Sequence, residues 1–206
     1  MYKIKIESDF VDYYDILSSN DSDIVYKRVH KDREQRAKDL KFLRNLGLKT
    51  LELKQVNQFI RDNEPIVVYT NPKGHDGSGK EIMSVDDALK IHGNCTASRY
   101  IKPDNGYSLK YLQIGKQRFA LYFRKDENDI SLKMGELINI VKAEPEYNRL
   151  IGLPIYSIDY IPYKGEMIAT DFNCVENLKR LGMNSIISDT EVISEIARSL
   201  IVYNRI

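Results

Sequence analysis

The most constraining stretch of this chain runs from Tyr156 to Asn173, YSIDYIPYKGEMIATDFN. Apolar and polar residues alternate on both sides of Lys164-Gly165-Glu166, the pattern of two antiparallel strands around a tight turn. With a three-residue loop, Tyr163 faces Met167, and Asp159 then lies directly across from Asp171. Asn173 is two residues further on and points to the same face. Tyr156, Ile158, Tyr160, Ile168 and Phe172 turn to the other face, which can enter a core. A two-residue loop would instead put the two aspartates on opposite faces. Carboxylates facing each other on neighbouring strands repel, and they persist where one is protonated or a cation lies between them. Two Asp and one Asn are hard oxygen donors, and they suit magnesium, which combines a few carboxylates with phosphate oxygens and water. The plain alternative is the solvated face of an amphipathic hairpin.

Around this hairpin the chain divides into two kinds of pattern. From residue 108 on, strand-like segments follow each other with short turns: 108–114 and 117–125 flank Gly115-Lys116, and 153–162 is followed by 167–173. A helix is expected over about 189–203, with Val192, Ile196, Leu200 and Tyr203 on its inner stripe. The first half alternates. Strands are expected at 2–7, 23–29, 48–53 and 66–69, the last after Pro65 and apolar enough to be buried. A helix over 32–46 carries Ala37, Leu40, Leu43 and Leu46 on one stripe and stops at Gly47. A short helix follows at 56–61, and Ser84-Val85-Asp86-Asp87 opens another with a capping signal. This predicts an α/β (α+β) chain: a small α/β lobe with a largely parallel sheet over residues 1–97, then an antiparallel sheet lobe with a C-terminal helix over 98–206.

Composition excludes several function classes. Among 206 residues, Lys+Arg is 31 and Asp+Glu is 30, so the net charge of +1 argues against a general nucleic-acid binder. The basic residues of the first helix (Lys31, Arg33, Arg36, Lys38, Lys41, Arg44) alternate with Asp32, Glu34 and Asp39 and read as a solvated face. No apolar run is long enough to cross a bilayer. The N-terminus alternates like a strand and lacks the apolar block of a signal peptide. Cys95 and Cys174 make a poor disulfide framework, and two cysteines with three histidines make a poor zinc site. A cytoplasmic protein is expected. Gly74-His75-Asp76-Gly77-Ser78-Gly79-Lys80 has the glycine and lysine spacing of a P-loop, but Glu81 stands where a Ser or Thr should hold magnesium. The segment reads as a glycine loop at a strand exit, where Lys73, His75 and Lys80 can close over an anionic ligand. The cluster Asp9-Phe10-Val11-Asp12-Tyr13-Tyr14-Asp15 is either a strand-exit loop that contacts an acceptor or the acidic first turn of a helix.

The hairpin resembles the C-terminal end of the ATP-grasp fold, in which an acidic residue in an apolar strand is followed by a turn and an acidic-x-Asn motif. Asp159 matches the first acid, Asp171 the second and Asn173 the asparagine. Upstream, YLQIGKQRFALYFR (111–124) resembles the hairpin that precedes the magnesium site, with Arg124 as its phosphate-facing arginine. Tyr100-Ile101-Lys102-Pro103 resembles the strand whose lysine reaches nucleotide phosphates. The resemblance covers residues from about 98 onward. It implies magnesium on Asp159, Asp171 and Asn173, and ATP contacted by Lys102 and Arg124; Lys80, of the glycine loop, is added as a further expected nucleotide contact. It also implies a carboxylate–amine ligase acting through an acyl phosphate, with a small-molecule or peptide acceptor and homodimer assembly left open. Two other readings stand beside it. One is a non-catalytic ATP-grasp-like binding protein of mobile-element or phage origin. The other is a metal-dependent nuclease built on Asp159 and Asp171, which requires a nearby Glu and Lys; Glu166, in the turn, is far from the pair.

Overall fold

Apolar residues spaced two apart build most of this molecule, because each strand must hide one face or both. The computed structural model describes residues 2–4, 14–16, 33–60, 63–71, 79–124, 135–143, 153, 155–173, 178, 181–188, 190–192, 194–196 and 198. The strand expected over 23–29 lies outside these residues. β1 (Tyr2–Ile4) pairs with β2 (Tyr14–Ile16) as a small antiparallel ribbon.

Helix α1 (Arg33–Asn45) ends where the sequence says it should. Gly47 adopts φ +87°, the Leu48 amide reaches back to the Leu43 carbonyl at 3.1 Å, and the Gly47 amide reaches Arg44 at 2.9 Å. This is a Schellman stop, which needs a residue free to turn left-handed. The buried face of α1 holds Asp39, Leu40 and Leu43, whereas Ala37 of the expected stripe is exposed.

A four-stranded sheet follows, in the order β3 (Lys54–Gln55), β6 (Thr96–Arg99), β4 (Ile66–Tyr69), β5 (Lys80–Met83). All its pairings are antiparallel, which corrects the parallel sheet expected from the alternation of strands and helices. The alternation is real, but β4 and β5 pair directly as a hairpin across residues 70–79. Helix α2 (Val85–His92) then crosses from β5 to β6, two strands that lie on either side of β4 and never pair. The Ser84 cap is present: its hydroxyl accepts from the Asp87 amide at 3.1 Å and donates to the Asp87 carboxylate at 2.7 Å. Residues 48–53 are not a strand of either sheet. Lys49 to Leu51 instead bond the backbone of Ala169, at the edge of the second sheet.

That second sheet has five antiparallel strands in the order β11 (Glu166–Asn173), β10 (Ile155–Tyr163), β7 (Tyr107–Ile114), β8 (Gln117–Arg124), β9 (Glu136–Lys142). β9, with its weak alternation, is absent from the sequence reading. One face carries Leu112, Ile114, Phe119 and Leu121 under Leu181, Met183, Val192 and Ile196. The other carries Tyr111, Tyr156, Ile158 and Phe172 under Leu43 and Phe42 of α1. Each fully buried Leu, Ile or Phe contributes about 1.5–3 kcal/mol, so covering both faces is what holds this sheet. Residues 190–192, 194–196 and 198 are helical, and Ser188 and Glu191 cap them reciprocally at 2.9 and 3.3 Å. Glu195 locks this helix onto the β7–β8 turn by accepting from the Lys116 amide at 3.0 Å. Among the described residues, no helix is long and apolar enough to cross a membrane.

The turn under Glu195 gives a test. A Cβ at Gly115 (φ +57°) would come within 2.7 Å of Glu195, whereas one at Gly93 (φ +67°) meets nothing within 4 Å. Gly93→Ala therefore costs a backbone term alone, about 2 kcal/mol, because φ +67° with ψ −156° is a region essentially confined to glycine. Gly115→Ala adds a clash and a displaced cap and costs about 3 kcal/mol. Urea midpoints of the two variants check the difference.

Candidate functional site

The β10–β11 turn has two residues, not three. Lys164 (φ +53°) and Gly165 (φ +77°) are both left-handed, as a type I′ turn requires, and Tyr163 pairs with Glu166. Continued without a break, that register would set Asp159 against Thr170 and turn Asp171 away. A β-bulge between Asp159 and Tyr160 prevents this. Tyr160 pairs with Ala169, Thr170 is the extra residue, and Asp159 then faces Asp171, with Ser157 against Asn173. The aspartates and the asparagine thus share one face, as the sequence reading expects, by a different route. The same shift moves Ile168 off the core face, and Ala169, fully buried, takes its place. Thr170 holds the bulge: its Oγ1 donates to the Asp159 carbonyl at 3.2 Å, and its own carbonyl accepts from Arg36 Nη2 at 2.8 Å.

Two cations meet the acid pair. Lys110 sits directly opposite Asp159 on β7, and its Nζ lies 2.6 Å from Asp159 Oδ1 and 3.3 Å from Ser157 Oγ. The Lys110 side chain is only 3% exposed, while that of Asp159 is 26% exposed. Arg36 comes from α1. Its burial alone pushes the guanidinium pKa down, but Asp171, Tyr69, Asp159 and Asp39 together outweigh it and the net direction is up. Arg36 is thus fixed as a cation in the field of both site aspartates. Its Nε is buried and has no hydrogen-bond partner among the described residues.

Arg36 also joins the two sheets. Its Cζ lies 5.6 Å from the centroid of the Tyr69 ring on β4, and Lys80 Nζ lies 5.7 Å from the same ring. Tyr69 is buried, with its hydroxyl 3.3 Å from Ser98 Oγ. Lys80, on the four-stranded sheet, and Arg36, in the field of the acid pair, thus share one aromatic ring. Residues 72–78, including Lys73 and His75, lie outside the described residues. Lys80 opens a strand, where a P-loop would open a helix.

Not all expected site residues gather here. Lys102 is exposed in the connection between β6 and β7 and is in no strand. Arg124 is exposed at the end of β8, with its Cζ 5.7 Å from the Tyr107 ring centroid. Strand alternation puts Leu121 and Phe123 on the face of Lys110, so Arg124 is on the opposite face from the aspartates. Of the Asp9–Asp15 cluster, Tyr14 and Asp15 belong to β2 and the rest lies outside the described residues. Glu166 pairs with Lys49 at the hairpin turn.

The sequence reading missed Lys110, Arg36 and Tyr69. Lys110 had a signal, a lone charge between Leu109 and Tyr111 in a strand buried on both faces. Arg36 had none, being one of six basic residues on or beside the same helix.

The sequence matches no protein-family model and no curated protein. Solved structures do match in fold. The macrocyclase MdnC of Microcystis aeruginosa MRC, bound with its precursor peptide MdnA, is 17% identical at a TM-score of 0.52, covering 82% of this chain and 62% of its own. D-alanine–D-alanine ligase of Bacillus anthracis, complexed with ATP, is 14% identical at 0.54, covering 86% and 68%. A RiPP-associated ATP-grasp ligase of Chryseobacterium gregarium, in complex with ADP and a leader and core peptide, is 12% identical at 0.56, covering 82% and 59%. The chain spans about three fifths to two thirds of the length of these proteins. It has the ATP-grasp fold.

Arg36 is the testable element here. Replacing it with Met leaves the Thr170 carbonyl without its donor and removes one of the cations facing the aspartates, a loss of about 2–3 kcal/mol. The urea midpoint should fall with an unchanged slope, and Arg36→Lys should recover part of the loss.

Proposed function

We propose that this chain binds ATP with magnesium where its two sheets meet, and uses it to join a carboxylate to an amine. The observation that carries this reading is the bulge-set pairing of Asp159 with Asp171, beside Asn173, in a chain of ATP-grasp fold. The residues fit both ligands. Asp159, Asp171 and Asn173 are oxygen donors on one face and would hold the ion, which when bound neutralises phosphate charge. Arg36 has a buried Nε–H without a hydrogen-bond partner among the described residues, and Lys80 contacts the same Tyr69 ring, which supports an anion bound at this place.

The chemistry asks little covalent work of the protein. The terminal phosphoryl group leaves its bridging oxygen and bonds a carboxylate oxygen of the substrate, giving an acyl phosphate and ADP. The amine then attacks the acyl carbon, inorganic phosphate departs with the C–O bond electrons, and the new amide loses a proton. The task of this chain is to align and neutralise. Arg36, clamped between Thr170 and the Tyr69 ring, is a pre-positioned hydrogen-bond donor to phosphate. Lys80 approaches from the other sheet. Arg124, on the far face of its strand, has no part in this scheme. Two of the three structural neighbours described above hold peptides, which supports a peptide as the acceptor. A second reading, binding without turnover, is favoured by one observation: Asp159 already has a cationic partner in Lys110.

Thermal unfolding checks the first part. At about 100 times its Kd, ATP with magnesium adds ~2.7 kcal/mol and raises Tm by about 5–10 °C. Asp171→Asn should abolish most of that rise and leave the Tm without ligand within a few degrees of the parent. If the rise is the same in Asp171→Asn, with and without magnesium, the metal site is elsewhere. ADP release that depends on a carboxylate and an amine distinguishes ligase from binder.

A further inference from the structure

Lys110 is a buried charge at the acid pair that the proposed reaction does not use. It lies mid-strand between Leu109 and Tyr111, its side chain is almost wholly enclosed, and its ammonium group is held against Asp159 and Ser157, both on β10. A lysine in such a place must keep an anionic partner, because an ammonium away from water is costly unless paired. Asp159 is that partner and is also the first of the three oxygen donors assigned to the ion. The same carboxylate is thus claimed by a fixed monovalent cation and by a mobile divalent one.

Charge decides which arrangement is stable. Asp159 and Asp171 with Lys110 and Arg36 are neutral as a group. A divalent ion entering alone makes the group dicationic, and it must sit close to an ammonium that cannot retreat into solvent. Nucleotide phosphates entering with the ion reverse the balance and offer new oxygen acceptors to both protein cations. We propose that Lys110 is an internal counter-ion that blocks loading of the divalent ion by itself, so that metal and nucleotide enter the site together. This rests on the magnesium–nucleotide reading above and adds a rule for how that site fills. Lys110 is a positioning residue in this scheme: it acts through Asp159.

The test uses Mn2+ as the probe on the full chain, with free Mn2+ followed by its electron paramagnetic resonance signal, with and without ADP. The parent should bind Mn2+ weakly alone and at least tenfold more tightly with ADP, and by linkage Mn2+ should tighten ADP by the same factor. Lys110→Met should bind Mn2+ alone at least tenfold more tightly than the parent, with a smaller effect of ADP, whereas Lys110→Arg should follow the parent. A merely structural lysine would give the opposite sign, since a damaged site loses metal affinity. If Lys110→Met does not fold, Lys110→Gln is held to the same criterion, with the Mn2+-induced rise in Tm as second readout. Equal affinity of parent and variant for Mn2+ alone, with both still loading Mn2+ in the presence of ADP, overturns the counter-ion role and leaves the site intact. Failure of the parent to bind Mn2+ even with ADP overturns the magnesium–nucleotide reading and the counter-ion role together.

Discussion

One extra residue in one strand determines what this hairpin can do. The two-residue turn at Lys164-Gly165 imposes a register in which the aspartates would be separated by the thickness of the sheet. The bulge at Thr170 undoes that register for the last part of β11. A bulge leaves backbone groups outside the ladder, and one of them, the Thr170 carbonyl, is satisfied by a guanidinium from another element. The acid pair, the bulge and Arg36 are therefore one construction. Asp171 reaches its face because Thr170 is extruded, and Thr170 can remain extruded because Arg36 caps it.

The same arginine explains how two sheets with separate cores come to be joined. The core of the four-stranded sheet is built on Val56, Ile66, Val68 and Ala88, and that of the hairpin on Tyr156, Ile158 and Phe172. Arg36 touches the ring of Tyr69 from the first sheet and the backbone of β11 from the second. Lys49 and Leu51, a few residues beyond α1, also bond the edge of β11 through Ala169. Helix α1 is thereby fixed to the hairpin by its packing, its arginine and the chain that follows it.

The residues that state geometry locally were legible in the sequence. Gly47, Ser84 and Gly115 each mark an end or a turn, and each does so by a local backbone requirement that needs no tertiary partner. The strands of the second sheet were legible because their alternation is strong. The bulge was not, since a bulge is a compromise between turn chemistry and two faces of packing, and no single residue announces it. The antiparallel first sheet was not legible either: strand–helix alternation gives the order of elements, whereas pairing depends on which strands end up adjacent. Arg36 and Lys110 were missed because a charged residue in sequence looks solvated, and only the fold reveals that one is sealed in a strand and the other is wedged between sheets.

That burial is an argument about function. Groups of opposite charge enclosed in a protein contribute little net stability, because desolvation cancels most of their attraction, and apolar residues of similar size hold a fold at least as well. The surrounding positions show that this chain has no shortage of apolar side chains: Leu109, Tyr111, Ile158 and Tyr160 flank Lys110 and Asp159 on their own strands. A leucine pair at 110 and 159 would serve the core as well and would need no Arg36 nearby. Two carboxylates and two cations, aligned by a bulge and drawn from four elements, are a costly way to build a sheet. Their arrangement makes sense for handling charge that arrives from outside, and polyphosphate with a divalent ion brings charge of both signs.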